Sequence, residues 1–301
     1  MSGIRILACI VLCNLFLSVN VPLCFADAVD MANNGMKAYK AGDKKKAKIL
    51  LKSALKSNEL SKENYIIVNN QLCDVLQSEL ENKKAVDCYS ESLYLDPDNP
   101  EALIGRGMLY YDMGLTQRAL EDLTLYTQVS PKDPNGFIKK GLAYRELSNY
   151  DQAISDLSHA VWLKPQNADV YIHRGKTYVK ARNYNLALAD FEKAMKFAPE
   201  NPYTYEAMAW FYAACPNNDF RDGTKAVQFA KKAVELTLPD SPDPVFSATL
   251  AAAYAESGLF GQAIESQIEA MTLVKKNSPD FDMFDEEFKR RLELYERGES
   301  L

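Results

Sequence analysis

The sequence predicts an all-α protein built as a solenoid of stacked helical hairpins, and two observations support this prediction. Four stretches of the 301-residue chain align with a constant step of 34 residues. Each stretch contains two segments whose apolar residues recur at helical spacing, as at Phe137, Gly141 and Tyr144. A single helical hairpin cannot bury both of its faces, so hairpins of this kind must stack on their neighbours.

Small and aromatic residues occupy fixed positions of the repeat. The small position holds Gly107, Gly141, Gly175 and Ala209, and the aromatic position holds Tyr110, Tyr144, Tyr178 and Tyr212. Later in the repeat the same step relates Ala119, Ala153 and Ala187, and also Pro97, Pro131, Pro165 and Pro199. Small residues allow two helices to approach closely, while larger side chains fill the space between them.

Polar residues followed by proline mark where helices should begin. A capping side chain precedes a proline in Asn99-Pro100, Asp133-Pro134, Asn201-Pro202 and Asp243-Pro244. Between the two helices of a copy, we expect the break at Gly114 and, in the next copy, at Asn149. The second helix of that next copy contains Ala153, Leu157, Ala160 and Leu163.

In the fifth copy the repeated positions are Tyr171, Gly175, Tyr178, Ala187, Phe191, Ala194 and Pro199. This pattern resembles the tetratricopeptide repeat. The resemblance implies a right-handed superhelical solenoid of about seven repeats within residues 27–277, near 28–61, 66–99, 100–133, 134–167, 168–201, 202–240 and 244–277. Residues 278–301 are predicted to form a C-terminal capping helix with an apolar stripe of Phe281, Phe284, Phe288, Leu292 and Tyr295. The opposite, polar face of that helix holds Glu286, Glu287, Arg290 and Glu293.

The first 26 residues have the composition of a secretory signal peptide. Arg5 is their only charged residue, and an almost purely apolar run extends from Ile6 to Leu17. Small residues permit cleavage after Ala26 or Ala28, and an uncleaved membrane anchor is the alternative. The sequence therefore predicts an exported protein and favours a bacterial periplasm over secretion or membrane anchoring.

Composition and motifs argue against several classes of function. The net charge of −6 argues against nucleic acid as the main partner. The two histidines, His159 and His173, lie in adjacent repeats, but two ligands do not make a zinc site. No nucleophile–base pair, phosphate-binding loop or metal-ligand spacing appears, so we expect no enzyme, no metal and no cofactor. The three cysteines after the signal peptide form no disulfide framework, and the sequence leaves open whether Cys73 and Cys88 pair.

Opposite charges recur sixteen residues apart in three successive repeats. The pairs are Arg106 with Asp122, Lys140 with Asp156, and Arg174 with Asp190. The two helices of an antiparallel hairpin bring such positions together. We therefore expect ion pairs within each repeat, worth about 0–1 kcal/mol if they are exposed.

The first helix of each repeat carries side chains that its own hairpin does not use, and their spacing places them on one helix face. The resemblance implies that this face lines a concave groove for partner peptides. The groove candidates are Ile104, Met108, Tyr111, Ile138, Leu142, Arg145, Ile172, Lys176, Lys180, Glu206 and Trp210. For the isoleucines, packing between repeats is the alternative. The expected ligand is an apolar segment with an acidic flank, anchored by Tyr111 and Trp210.

These patterns together predict a non-catalytic scaffold or adaptor of the bacterial envelope that binds peptide segments of other proteins. The alternative is an envelope-surface binder, because Lys44, Lys48, Lys52 and Lys56 form a basic stripe in the first repeat. Such a stripe would contact acidic lipid or cell-wall polymer. Neither the partner nor the oligomeric state follows from the sequence patterns.

Overall fold

The structure is a computed structural model that describes residues 27–237, 242–277 and 285–301. All regular structure in these segments is helical, with fifteen α-helices, one short 3₁₀ helix and no strand. None of the described helices is long and apolar enough to cross a membrane. The predicted signal peptide and the first part of the predicted C-terminal capping helix, with Phe281 and Phe284, lie outside the described residues. The chain divides into two compact units, one ending at Val75 and the other beginning at Leu76.

The first unit contains a tight helical hairpin. Helix α1 spans Ala28–Lys40, helix α2 spans Lys44–Lys56, and the two pack against each other. Gly35 permits this approach, because a Cβ atom at that position would lie 2.9 Å from Cγ of Leu51. Helix α3, Lys62–Ser78, begins in this unit and ends in the second.

The second unit is a series of helices of similar length. They are α4 (Asn82–Leu95), α5 (Pro100–Asp112), α6 (Thr116–Val129), α7 (Pro134–Glu146), α8 (Tyr150–Leu163), α9 (Ala168–Lys180), α10 (Tyr184–Phe197), α11 (Pro202–Ala214), α12 (Gly223–Glu235), α13 (Pro244–Glu256), α14 (Phe260–Asn277) and α15 (Asp285–Glu296). The 3₁₀ helix, Asn218–Phe220, lies between α11 and α12.

Within this second unit each helix packs against the next, so α5 to α14 form five successive hairpins. The first helix of each hairpin also contacts the first helix of the following hairpin, from α5 and α7 through to α11 and α13. This pattern confirms the predicted all-α architecture of stacked helical hairpins. It also brings the first helices side by side, which positions their side chains around a common space.

Side chains cap the helices where the sequence predicted caps. The side chains of Asn99, Asp133, Asn201 and Asp243 each accept a hydrogen bond of 2.9–3.0 Å from a backbone N–H two or three residues later. In all four cases proline occupies the start of the helix. Each cap satisfies one of the backbone donors that a helix N-terminus leaves unpaired.

The turn between successive helices contains one residue in the left-handed backbone conformation. It recurs every 34 positions as Leu80 (φ 61°), Gly114 (φ 74°), Ser148 (φ 58°) and Arg182 (φ 62°). The predicted break at Asn149 is confirmed, since α7 ends at Glu146 and α8 begins at Tyr150. Within this break Ser148, and not Asn149, takes the left-handed conformation of Gly114. Asn149 instead caps α8, and its side chain accepts a hydrogen bond from the backbone N–H of Gln152.

We expect Arg182→Gly to raise the free energy of unfolding by about 0.5–1 kcal/mol. The left-handed conformation costs a residue with a Cβ atom about 1–2 kcal/mol, and glycine removes this cost from the folded state. Glycine also gives the unfolded chain more conformational freedom, which offsets part of the stabilisation. Chemical denaturation of both proteins measures the difference. A loss of stability would show that the Arg182 side chain contributes more than its backbone costs.

Small residues determine how closely the two helices of a hairpin approach. A Cβ atom at Gly175 of α9 would lie only 2.5 Å from Cε1 of Phe191 on α10. Ala187 and Ala194 of α10 are fully buried in the same apolar cluster. Because protein interiors are close-packed, this contact has no room for larger side chains.

Ala187→Leu should destabilise the protein by about 1–3 kcal/mol, since the extra methyl groups must displace packed neighbours. The matched control is Leu186→Ala on the same helix, where the leucine is 51% exposed and should change stability by less than about 0.5 kcal/mol. Thermal unfolding of the two variants distinguishes the positions. Equal melting temperatures would contradict the assignment of Ala187 to the helix contact.

All three predicted ion pairs form, and they are more buried than the sequence suggested. Arg106 and Asp122 are 2.8 Å apart, Lys140 and Asp156 are 3.0 Å apart, and Arg174 and Asp190 are 2.7 Å apart. The two arginines also donate to a serine of the preceding repeat, Ser90 and Ser158, at 3.0 Å. Each arginine therefore joins two helices of its own hairpin and a third helix of the neighbouring hairpin.

Candidate functional site

The second unit contains a cleft of about 630 Å³. Helices α7, α9, α11 and α13, which are the first helices of four successive hairpins, contribute most of its lining. Helix α15 contributes three further residues, and Phe191 of α10 and Cys215 contribute the rest. A cleft of this volume is in the range that holds a small molecule or several peptide side chains. Its lining comes from side chains that the stacking of hairpins brings together.

Apolar side chains line much of the cleft. Val179, Ala248, Phe191, Phe211 and Phe288 all border it. The rings of Phe191 and Phe211 lie 5.7 Å apart and are nearly inaccessible to solvent, so they support the cleft from behind. Val179, Ala214 and Val245 form the accessible apolar surface. Such a surface can bury an apolar side chain of a ligand at about 25 cal/mol for each Å² removed from water.

A buried carboxylate stands in the wall of this apolar surface. Glu206 of α11 is only 4% exposed. One of its oxygens accepts a hydrogen bond from Nζ of Lys176 at 3.1 Å, and the other accepts one from Oγ1 of Thr249 at 3.3 Å. These bonds connect α9, α11 and α13, and they compensate for the loss of water around the carboxylate.

The ion pair with Glu206 changes the expected role of Lys176. The sequence placed Lys176 and Lys180 together among the groove candidates, where both would face a partner. In the structure, Lys176→Glu would leave Glu206 buried beside a second carboxylate, which is strongly destabilising. Lys176 is therefore a structural residue of the cleft wall as well as a rim residue.

Helix α15 contributes a stacked arginine to the cleft. The guanidinium of Arg291 lies over the Trp210 ring, with its Cζ 4.7 Å from the ring centroid. Arg291 also donates to the carboxylate of Glu287 at 2.9 Å. Hydrogen bonds from Arg290, and then from Arg291, lower the pKa of Glu287 to about 2 despite some burial. One face of the indole is thus covered within the protein, which limits Trp210 as an anchor for a partner.

Two cations on the rim remain available to a ligand. Lys180 is exposed at the end of α9 and makes no ion pair with any described residue. Arg145 of α7 approaches the exposed carboxylate of Glu146 only loosely, at 3.5 Å. Because the other cleft cations are paired with carboxylates, Lys180 and Arg145 give this edge of the cleft a positive charge.

The structure separates the predicted groove residues into two groups. The five that line the cleft are Arg145, Lys176, Lys180, Glu206 and Trp210. The other six lie elsewhere: Ile138, Leu142 and Ile172 are buried in apolar clusters between helices, and Ile104, Met108 and Tyr111 are half-buried. For the three buried aliphatic residues, the structure supports core packing, the alternative that the sequence had raised for the isoleucines.

Family models match the repeats directly. Models described as tetratricopeptide repeat match residues 75–136 and 168–201, and a model described as TPR repeat matches residues 128–181. Residues 75–201 of the chain consist of tetratricopeptide repeats. Repeats of this family indicate a protein-interaction scaffold in general, which agrees with an apolar cleft on the first helices.

Solved structures of other proteins share this fold. A tetratricopeptide repeat protein from Parabacteroides merdae aligns over 89% of this chain and 98% of its own, with a TM-score of 0.72 and 17% identity. Residues 41 to the end of MamA from Desulfovibrio magneticus align over 57% of this chain and 95% of their own, with a TM-score of 0.53 and 22% identity. At these identities the similarity concerns the fold alone. A search of curated proteins found no match.

Several cleft residues of this tetratricopeptide repeat protein were not predicted from the sequence. Glu287, Phe288 and Arg291 come from the predicted cap, whose charged face had been assigned to solvent. Their contribution depends on the docking of α15, where Phe288 and Tyr295 are buried against α13 and α14. The apolar spacing of Phe288, Leu292 and Tyr295 indicated that this helix docks, but it did not predict the contact of Arg291 with Trp210.

The lengthened turn of the sixth repeat supports one end of the cleft. Arg221 follows the 3₁₀ helix and donates to the carbonyl oxygen of Cys215 at 2.9 Å and to the carboxylate of Glu256 at 3.1 Å. A third hydrogen bond joins Arg221 to the carbonyl oxygen of Leu301. Cys215 is a buried free thiol on the cleft lining, and burial raises its pKa, which favours an unreactive, protonated form.

The two histidines occupy different surroundings. His159 packs between the rings of Phe137 and Trp162, with centroid distances of 4.2 and 5.4 Å. His173 is mostly buried near Arg145 and Lys176, and burial, followed by these positive charges, lowers its pKa to about 4. Among the described residues, no group of three or more histidine, cysteine, aspartate or glutamate side chains is arranged to hold a metal ion.

The lowered pKa of His173 predicts acid sensitivity. The unfolded chain binds a proton at His173 below about pH 6.5, whereas the folded chain does so only near pH 4. Above about pH 6.5 His173 is neutral in both states and does not lower the free energy of unfolding. Because the unfolded chain binds the proton more readily, the free energy of unfolding falls by about 2 kcal/mol between pH 7.5 and pH 5. Urea denaturation at the two pH values, on the wild type and on His173→Gln, isolates this contribution. An identical pH dependence in both proteins would contradict the prediction.

Proposed function

We propose that this protein is a non-catalytic scaffold or adaptor of the bacterial envelope that captures a peptide segment of another protein in the cleft. The observation that carries the proposal is the cleft itself, where side chains from successive first helices surround an apolar floor with a charged rim. All of its lining residues except Cys215 lie in helices, so regular backbone structure holds the binding surface. Such preorganisation reduces the entropy lost on binding.

The chemistry of the cleft selects a particular kind of segment. The apolar floor, where Val179, Ala214 and Val245 are accessible, favours a bulky aliphatic or aromatic side chain. Lys180 and Arg145 stand at one edge and favour an acidic residue close to that side chain in the partner sequence. The buried Glu206 is already bonded to Lys176 and Thr249, so it contributes to the shape of the wall and repels a second carboxylate.

A peptide library tests this selectivity. The immobilised protein should enrich peptides that carry a bulky apolar residue within two or three positions of aspartate or glutamate. Their affinity should fall with rising salt because the acidic contact is on the exposed rim. Enrichment of basic peptides, or of acidic peptides with no apolar residue, would contradict the proposal.

We also propose that the protein acts in the periplasm. The apolar run from Ile6 to Leu17 and the small residues near Ala26 and Ala28 support export. N-terminal sequencing of the protein from fractionated cells tests this location. A mature start at Asp27 or Val29 in the periplasmic fraction is expected, whereas an intact Met1 on cytoplasmic protein would contradict export.

A further inference from the structure

The first unit carries a basic helix face that the proposed function does not use. In α2, the residues Ala47, Leu51 and Ala54 are buried. The opposite face has Lys45, Ile49, Lys52 and Lys56, which are spaced by four, three and four residues and therefore share one side of the helix. We name these four residues the basic face of α2.

The charges of the basic face are open to a partner. Lys45, Lys52 and Lys56 are exposed and make no ion pair with a described residue. Lys37 and Lys40 of α1 are also exposed in the same unit, which adds to the positive potential. The whole chain has a net charge of −6, whereas this surface of the first unit is positively charged.

An exposed isoleucine in the middle of these lysines indicates what kind of anion fits. Ile49 is 65% exposed, although it is flanked by Lys45 and Lys52 on the same face. A soluble polyanion would engage the lysines but would gain little from an isoleucine. The surface of a bilayer with anionic phospholipids interacts with both, since headgroups attract the lysines and the acyl boundary accepts the apolar side chain.

We propose that the basic face of α2 binds the surface of a bilayer that contains anionic phospholipids. The contact is peripheral: the helix lies along the interface, with its lysines among the headgroups and Ile49 directed towards the acyl chains. This inference does not depend on the cleft, because its residues belong to the first unit.

Vesicle co-sedimentation tests the proposal. The chain that signal cleavage would leave, residues 27–301, is mixed with vesicles of phosphatidylcholine alone or with 30–40% phosphatidylglycerol; residues 1–26 are omitted because their apolar run would itself bind vesicles. We expect binding only to the anionic vesicles. The combined change Lys45→Gln, Lys52→Gln and Lys56→Gln should weaken it roughly 100-fold, because each lysine near an anionic surface contributes about a fivefold gain.

A matched variant and an apolar variant complete the test. Lys132→Gln, Lys164→Gln and Lys196→Gln remove three exposed lysines of the second unit and should leave vesicle binding within about twofold of the wild type. Ile49→Ser should weaken binding about fivefold by removing an apolar contact. Equal binding to neutral vesicles, or equal losses in the two lysine variants, would overturn the proposal. Loss with the lysines but none with Ile49→Ser would also overturn it and would indicate a soluble polyanion instead.

Discussion

Replacing Asp190 with alanine should lower the free energy of unfolding by about 3 kcal/mol, a larger effect than we expect from any exposed ion pair. The Asp190 side chain is 4% exposed and the Arg174 side chain is 13% exposed. Asp190 accepts two hydrogen bonds from the Arg174 guanidinium, at 2.7 and 2.8 Å. Without the carboxylate, the guanidinium of Arg174 stays buried as an unpaired charge and keeps its hydrogen bond to Ser158.

The control for this change is Glu192→Ala, which removes an exposed carboxylate from the same helix, α10. Its effect should stay within about 0.5 kcal/mol. Chemical denaturation, followed by the helical signal in circular dichroism, gives both values. If Asp190→Ala and Glu192→Ala have similar effects, the buried ion pair between α9 and α10 does not stabilise the hairpin as described.

The second large effect concerns the rim of the cleft. The combined change Arg145→Glu and Lys180→Glu should weaken capture of an acidic, apolar peptide by roughly 100-fold, because two attractions become repulsions. The fold should persist, since Lys180 is exposed and Arg145 has only a loose ion pair with Glu146. Lys176 is left unchanged, because its bond to Glu206 is structural. Isothermal titration with a peptide from the library measures the loss.

A matched pair of charge reversals outside the cleft controls this experiment. Lys164→Glu and Lys196→Glu alter two exposed lysines of the same unit that do not line the cleft. Peptide affinity should change by less than about threefold, through long-range electrostatics alone. If both double variants lose affinity equally, the general charge of the protein, and not the edge of the cleft, governs capture.

The sequence predicted the hairpins, the caps and the ion pairs because each depends on local spacing. Asn99 and Pro100 are neighbours, and Arg174 and Asp190 are related by one hairpin. The sequence placed the break before α8 at Asn149, where it lies, but did not show which residue of the break is left-handed. Serine lacks the positional signal that Gly114 provides, although the 34-residue step relates Ser148 to Gly114.

The cleft was harder to predict because its geometry depends on contacts between hairpins. Ile138 and Ile172 share helix faces with Arg145 and Lys176, but the neighbouring hairpin covers the isoleucines. The burial of Glu206 requires Lys176 from α9 and Thr249 from α13, which lie 30 and 43 residues away in the sequence. The stacking of Arg291 on Trp210 depends in turn on where α15 docks.

Site-specific photocrosslinking in living cells tests the central claim, capture of a partner segment in the cleft, most directly. A photoreactive amino acid is placed at Lys180 on the cleft rim or, for comparison, at Lys196, which is exposed and outside the cleft. The account predicts that the Lys180 position yields a discrete crosslinked protein, whose attached peptide carries an acidic residue near a bulky apolar one. Crosslinks of equal yield and identity from Lys180 and Lys196, or a partner found only at Lys196, would contradict it.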